Sequence, residues 1–182
     1  MVAITSIPKW DGPVSLEPVK RDAWGRVPPR PLTLLIIEDD PTMRLALACM
    51  VAESGFQVLL ASSAEDALER LSVIDPDIIL CDLILEGMSG REFCQHLKES
   101  PRWQYVPVIM VTRLDAPSIT GDLLRSGADD VMIKPVRGEE LRARVHAGVR
   151  RRERYRRLGA QTAAVLPLDA HVPTGRLLDV QA

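Results

Sequence analysis

A doubly wound α/β domain built on a parallel sheet is the fold class this sequence predicts, and three observations predict it. Five short apolar runs, Leu32 to Ile37, Phe56 to Ala61, Ile78 to Cys81, Val106 to Val111 and Ala128 to Ile133, alternate with segments that carry helix-start residues. The runs are continuously apolar rather than alternating, as strands covered on both faces should be. Polar signals, Glu38-Asp39, Asp82, Thr112 and Lys134-Pro135, each follow a run at its carboxyl end.

Each element has its own warrant. After the first run, Asp40-Pro41 supplies a capping acid and a proline suited to the first helical position, and Ser54-Gly55 closes that helix. Ser62-Ser63-Ala64-Glu65 and Ser89-Gly90-Arg91-Glu92 fit capping boxes that start the second and third helices. Asp115 is expected to cap a fourth helix ending near Gly127, and Glu139 to begin a fifth. Five strands alternating with five helices imply right-handed crossovers.

In such a sheet the carboxyl ends of the strands line one crevice. Asp39, Asp82, Thr112 and Lys134, spaced 43, 30 and 22 residues apart, should therefore converge on one site. Carboxylates, a hydroxyl and an ammonium gathered there make a Mg2+ and phosphoryl site, because hard cations take oxygen ligands. Taken alone, each signal has a plainer account: a strand-terminal acid, acids that favour a helix N-terminus, an ordinary strand threonine, a surface lysine.

The alternating pattern spans residues 31–150, long enough for one hydrophobic core, and 46% apolar residues can fill it. Residues 1–30, with Pro8, Pro13, Pro18, Pro28, Pro29, Trp10 and Trp24, read as a disordered, proline-rich leader. Residues 151–182 read as a basic extension of the last helix and a tail, without an output domain. No stretch approaches the roughly 18 apolar residues of a membrane span, and no signal peptide opens the chain, so a cytoplasmic location is expected. Cys49, Cys81 and Cys94 lack metal-ligand spacing and are expected to be reduced core residues. His96, His146 and His171 share no metal spacing either.

Charge is segregated along the chain. Residues 32–141 carry 19 acids and 9 bases, whereas residues 142–182 carry 9 arginines and 3 acids. The run Arg150 to Arg157 reads as a lengthened, solvent-exposed helix; clustered arginines can neutralise nucleic-acid phosphates, but no recognition fold accompanies them and nucleic-acid binding is not expected.

LLIIEDDPTMR, PDIILCDLILEGMSG, VPVIMVT and GADDVMIKPV, in this order and spacing, resemble the receiver domains of bacterial two-component response regulators, the CheY-like family, across about residues 31–150. The resemblance implies a flavodoxin-like receiver fold and a signalling role, not a metabolic enzyme. It implies Asp82 as phosphoacceptor from a histidine kinase or histidine phosphotransfer protein. Mg2+ would be held by Glu38, Asp39, Asp82 and the backbone carbonyl of Ile84; Thr112 and Lys134 would bind the phosphoryl group. A cis bond is implied between Lys134 and Pro135. The kinase would dock near the first helix, around Thr42, Met43 and Leu45 to Leu47. The fourth helix, fifth strand and fifth helix would contact a downstream protein target or a second copy of the chain. Three positions depart from the family pattern. Val131 replaces a common aromatic, so an aromatic relay should be absent. Arg113 replaces a small residue and could clasp a phosphate or obstruct access. Glu86 replaces a common proline, so the loop after Asp82 should be less rigid.

Two other classes remain open. A phosphorylation-independent scaffold would fit Arg113 and Val131. A Mg2+-dependent phosphohydrolase of the haloacid-dehalogenase kind would want Asp-x-Asp-x-Thr where this chain has Glu38-Asp39-Asp40-Pro41-Thr42. Residues 171–178 are also faintly similar to the approach to a diguanylate cyclase domain, which would make the chain the input fragment of a larger regulator.

Overall fold

The computed structural model describes residues 31–165, excepting the side chains of Glu53 and of residues 158–165. The expectations for the leader, Trp10, Trp24, His171 and the tail beyond residue 165 lie outside the described residues. The element order is β1 (Leu32–Ile37), α1 (Pro41–Val51) with a 3-10 turn at Ala52–Ser54, β2 (Phe56–Ala61), α2 (Ala64–Leu71), β3 (Ile78–Asp82), α3 (Gly90–Glu99), β4 (Val108–Thr112), α4 (Pro117–Arg125), β5 (Asp130–Ile133) and α5 (Gly138–Val165). All four strand pairings are parallel and the sheet order is β2-β1-β3-β4-β5. The order reverses between β1 and β3, which opens a crevice at their carboxyl ends.

Alternate residues of each strand enter two cores, which is why the runs are apolar throughout. Leu35, Ile37, Ile79, Cys81 and Met110 pack with Ala67 and Leu71 of α2, Phe93 and Leu97 of α3 and Leu123 of α4. Leu34, Ile36, Ile78, Leu80 and Ile109 face Leu47 and Val51 of α1 and Leu141, Val145 and Val149 of α5.

Helix chemistry decides where several elements begin, and it corrects some expectations. Asp40 caps α1 through Met43 N–H, and Gly55 follows the 3-10 turn at φ 78°, as expected. The α3 capping box between Ser89 and Glu92 is also as expected. At α2, however, Ser63 rather than Ser62 is the cap, and Asp66 accepts from Ser62 N–H, so Glu65 is not part of the cap. Asp115 does not cap α4: Ala116 holds that position without a side-chain bond, and Pro117 starts the helix. β5 begins at Asp130 rather than Ala128, because Ala128 N–H is taken by Leu123 carbonyl in the turn that ends α4. β4 starts at Val108 and runs one residue further than expected, to Thr112; β3 likewise reaches Asp82.

The charged end of α5 is not exposed all round. Arg152 lies on the same face as Val145 and Val149 and is only 5% exposed. It donates to Asp75 at 2.9 Å and lies 3.9 Å from Asp77, and Arg156 reaches both acids. Asp77 also accepts from Thr33 N–H at 2.9 Å, so this ionic cluster fastens α5 to the amino-terminal edge of the sheet between β1 and β3.

Cys81 and Cys94 are buried, but Cys49 is exposed on α1, against the expectation of three core thiols. Burial pushes the Cys81 thiol well up and the Cys94 thiol to about 11, so both stay protonated as well as shielded. A thiol-disulfide exchange reagent should therefore label one of the three cysteines rapidly at neutral pH and the other two only after denaturation. Rapid labelling of two or three thiols in the native protein would contradict the packing of β3 and α3.

Candidate functional site

Glu38 and Asp39 follow β1 directly, Asp82 is the last residue of β3, Thr112 the last of β4, and Lys134 follows β5. Because β1, β3, β4 and β5 are successive neighbours, these four strand ends lie side by side. Carboxylate oxygens of Glu38, Asp39 and Asp82 come within 4.8 Å of one another. An all-oxygen donor set of this kind suits a hard divalent cation.

Lys134 provides the counter-charge. Its ammonium donates to Asp82 Oδ2 at 2.6 Å and to Glu38 Oε2 at 2.8 Å, and all three side chains are less than a tenth exposed. Burial raises the Glu38 carboxyl above its ordinary value, and Asp82 adds to the rise against the lowering by Lys134. Burial by itself would lower the Lys134 ammonium, but hydrogen bonds to Asp82 and Glu38 outweigh it and leave it raised. Lys134 thus pairs with Asp82, and a second carboxylate shares it. The Lys134-Pro135 bond is cis, as expected.

The other expected positions distribute unevenly. Ile84, Glu86 and Arg113 line the cavity over the acids, so both unusual side chains border it. Ile84 N–H donates to Asp82 Oδ1 at 3.3 Å. Thr112 is fully buried, does not line the cavity, and its hydroxyl accepts from Leu114 N–H at 3.1 Å. Val131 sits within β5, half-buried against the core on the side of α2, α3 and α4.

Four further residues shape the site and were not singled out from the sequence. Arg44 donates to the backbone carbonyls of Glu38 at 2.6 Å and Asp39 at 3.2 Å, fastening the acidic pair to α1. Ser62 and Ser63 line the cavity from the start of α2. At Gly90 a Cβ would lie 2.0 Å from the Asp82 carbonyl, so only glycine lets α3 start against the end of β3. Arg44 and Gly90 were visible as the last residues of EDDPTMR and LEGMSG, but nothing in their spacing says what they touch.

Replacing Lys134 by methionine leaves two buried carboxylates facing each other without a cation. We expect a loss of about 3 kcal/mol in unfolding free energy, measured by urea denaturation in buffer containing a chelator. A loss below about 1 kcal/mol would mean that the bridge does not hold the three strand ends.

Comparison with known proteins agrees with this geometry. The response regulator receiver domain family matches residues 34–146. The transcriptional regulatory protein AfsQ1 of Streptomyces coelicolor is 40% identical over 124 residues, covering 67% of this chain and 53% of that protein. The DNA-binding response regulator MtrA of Mycolicibacterium smegmatis is 36% identical over 123 residues, covering 66% of this chain and 51% of that protein. The chain thus spans about half the length of these curated relatives. Their names concern transcription and DNA, so the expectation that nucleic acid is no partner is not borne out. Among solved structures, the receiver domain of a signal transduction histidine kinase from Syntrophus aciditrophicus has 32% identity and a TM-score of 0.61, covering 64% of this chain and 89% of that one. A two-component response regulator from Clostridium difficile has 28% identity and a TM-score of 0.61, covering 66% and 97%. Among the described residues no helix is long and apolar enough to cross a membrane. With the 2-1-3-4-5 sheet and its acidic crevice already in view, the family match over residues 34–146 establishes that the chain belongs to the response regulator receiver domains of two-component signalling.

Proposed function

We propose that Asp82 accepts a phosphoryl group from a histidine kinase or histidine phosphotransfer protein in a Mg2+-dependent reaction, and that this switches a protein-interaction surface. The observation that carries the reading is the Lys134 ammonium shared by Asp82 and Glu38, with Asp39 in the same cluster. A carboxylate oxygen of Asp82 attacks phosphorus; the phosphorus–nitrogen bond of the donor breaks, its electron pair returns to the imidazole, and an acyl phosphate forms. Glu38, Asp39, Asp82 and the Ile84 carbonyl would hold Mg2+, which when bound offsets negative charge on the phosphoryl oxygens. Lys134 contributes a fixed cation beside them.

The added negative charge and acceptors would draw Lys134 and the Thr112 hydroxyl into new hydrogen bonds. Thr112 is buried and does not line the cavity, so its hydroxyl would have to move to reach the phosphoryl group, and the loop after β4, tied to it through Leu114 N–H, would move with it. Helix α4, β5 and α5 follow that loop and are the surface we assign to a target protein or a second copy of the chain. Leu124 on α4 is 47% exposed there. We take residues 31–150 as the receiver and the rest of α5 as its extension. Where the relatives' names point to DNA, that activity would belong to a portion of the protein beyond the receiver.

Arg113 favours a second reading, a scaffold that no longer depends on phosphorylation, because a long cation borders the cavity. Intact mass after incubation with Mg2+ and acetyl phosphate separates the two. One Mg2+-dependent phosphoryl adduct, absent from an Asp82→Asn variant, is the expected result; no adduct from folded protein would bring the scaffold forward. In the phosphorylated protein, Arg113→Ala should change the half-life of the adduct severalfold, the side chain lying where it can contact the phosphoryl group. Equal rates of formation and loss in the two proteins would remove Arg113 from the site's chemistry.

A further inference from the structure

We propose that Glu65, on the first turn of α2, is a positioning residue that fixes the loop after Asp82 and thereby sets the affinity of the acidic cluster for a divalent cation. The inference rests on the proposed reading of Glu38, Asp39 and Asp82 as that cation's site.

The loop in question, residues 83–88, carries Ile84 and Glu86 on the border of the cavity. Its sequence does little to stiffen it: Glu86 occupies the place where a proline would restrict the backbone, and Gly87 adopts a φ of 77° that only glycine takes readily. Leu83 and Leu85 anchor it to the core, and Gly90 N–H holds the Leu83 carbonyl at 3.0 Å. The bond from Ile84 N–H to Asp82 Oδ1 is long, at 3.3 Å, and ties the loop only to the residue that must react.

At the far end of the loop a side-chain contact comes from Glu65, 23 residues before Met88 in sequence. Its Oε1 accepts from Met88 N–H at 2.8 Å. The same oxygen lies 2.8 Å from where a Cβ on Gly87 would be, so the carboxylate sits directly against the Gly87 backbone. Sequence pattern suggested that Glu65 would be consumed by capping α2. Asp66 and Ser63 fill that role instead, and the Glu65 carboxylate extends from the first turn of α2 to the loop. The Met88 N–H, with the Glu65 backbone N–H and the Ser63 hydroxyl behind it, holds the Glu65 carboxyl below the usual carboxylate range. Ser62 and Ser63, at the entry to α2, line the cavity, so the start of this helix touches both the cavity wall and the loop that borders it.

Partners that orient a metal site's ligands without touching the ion commonly govern affinity by about tenfold to a hundredfold. An exposed contact such as this one belongs at the lower end. The test uses the full chain, with Mg2+ titrated into wild type, Glu65→Ala and Glu65→Gln and followed by backbone amide shifts, together with hydrogen exchange of the Met88 amide. Glu65→Ala should raise the Mg2+ dissociation constant about tenfold and speed Met88 exchange, with the exchange of the β-strands unchanged. Glutamine keeps an acceptor oxygen, so Glu65→Gln should stay within about threefold of wild type. Unchanged Mg2+ affinity in Glu65→Ala overturns the proposal. So does an equal loss in both variants with Met88 protected in Glu65→Gln, since the effect would then be one of charge. If wild type binds no Mg2+, the cation reading itself fails; Met88 exchange still decides separately whether Glu65 holds the loop.

Discussion

One ammonium between two buried carboxylates is the constraint on which this site depends. Lys134, Glu38 and Asp82 arrive from three different strands, and each is almost fully removed from water. Two carboxylates alone could not both remain ionised there, and a lone lysine would be driven toward its neutral form. Together they fix the relative heights of the ends of β1, β3 and β5, because a buried pair that loses one partner costs several kcal/mol. The consequence of that arrangement is a site held together by charge rather than by apolar packing, which makes it responsive to any group that alters the local charge.

Around this core, the backbone of the bearing loops is held by polar side chains from the neighbouring helices. Arg44 of α1 holds the carbonyls of Glu38 and Asp39, and Glu65 of α2 holds Met88 N–H. The opposite end of the sheet is fastened in the same manner. Lys98 joins the carbonyls of Gln104 and Val106 to Asp129, and Asp77 takes Thr33 N–H while facing Arg152. The apolar cores align the strands and take up Leu83 and Leu85 of the loop after Asp82, while charged side chains hold backbone groups of the loops at both ends.

The segregation of charge along the chain acquires a structural meaning from these contacts. The acids of the sheet domain and the arginines of α5 are partners: Asp130 with Arg144, Asp129 with Arg151, and Asp75 and Asp77 with Arg152 and Arg156. Part of what looks in sequence like a cationic appendage on an anionic body is a complementary contact between the two. Arg152 shows this most clearly: its position on the apolar stripe of α5 calls for an aliphatic residue, and its charge is accommodated because two aspartates face it. Any phosphate-bearing partner of this helix would compete with the chain's own carboxylates.

The sequence by itself determined the architecture and the convergence of the site. Continuous apolar runs, capping residues and acids, hydroxyl and lysine at run ends are local or periodic signals, and in an open parallel sheet strand order carries all such ends to one edge. Glu38, Asp39, Asp82 and Lys134 were legible for that reason. Contacts between side chains and distant backbone were not legible, because they depend on a few ångströms of relative placement that no spacing encodes. The tertiary structure alone decided that Glu65 reaches the Asp82 loop, that Arg44 braces the acidic pair, that Arg152 is buried, and that Thr112 Oγ1 accepts from Leu114 N–H. For Glu65, Arg44 and Thr112 the physical reason is the same. A backbone N–H or carbonyl left over at a loop must find a partner, and which side chain provides it is settled only when the helices have packed.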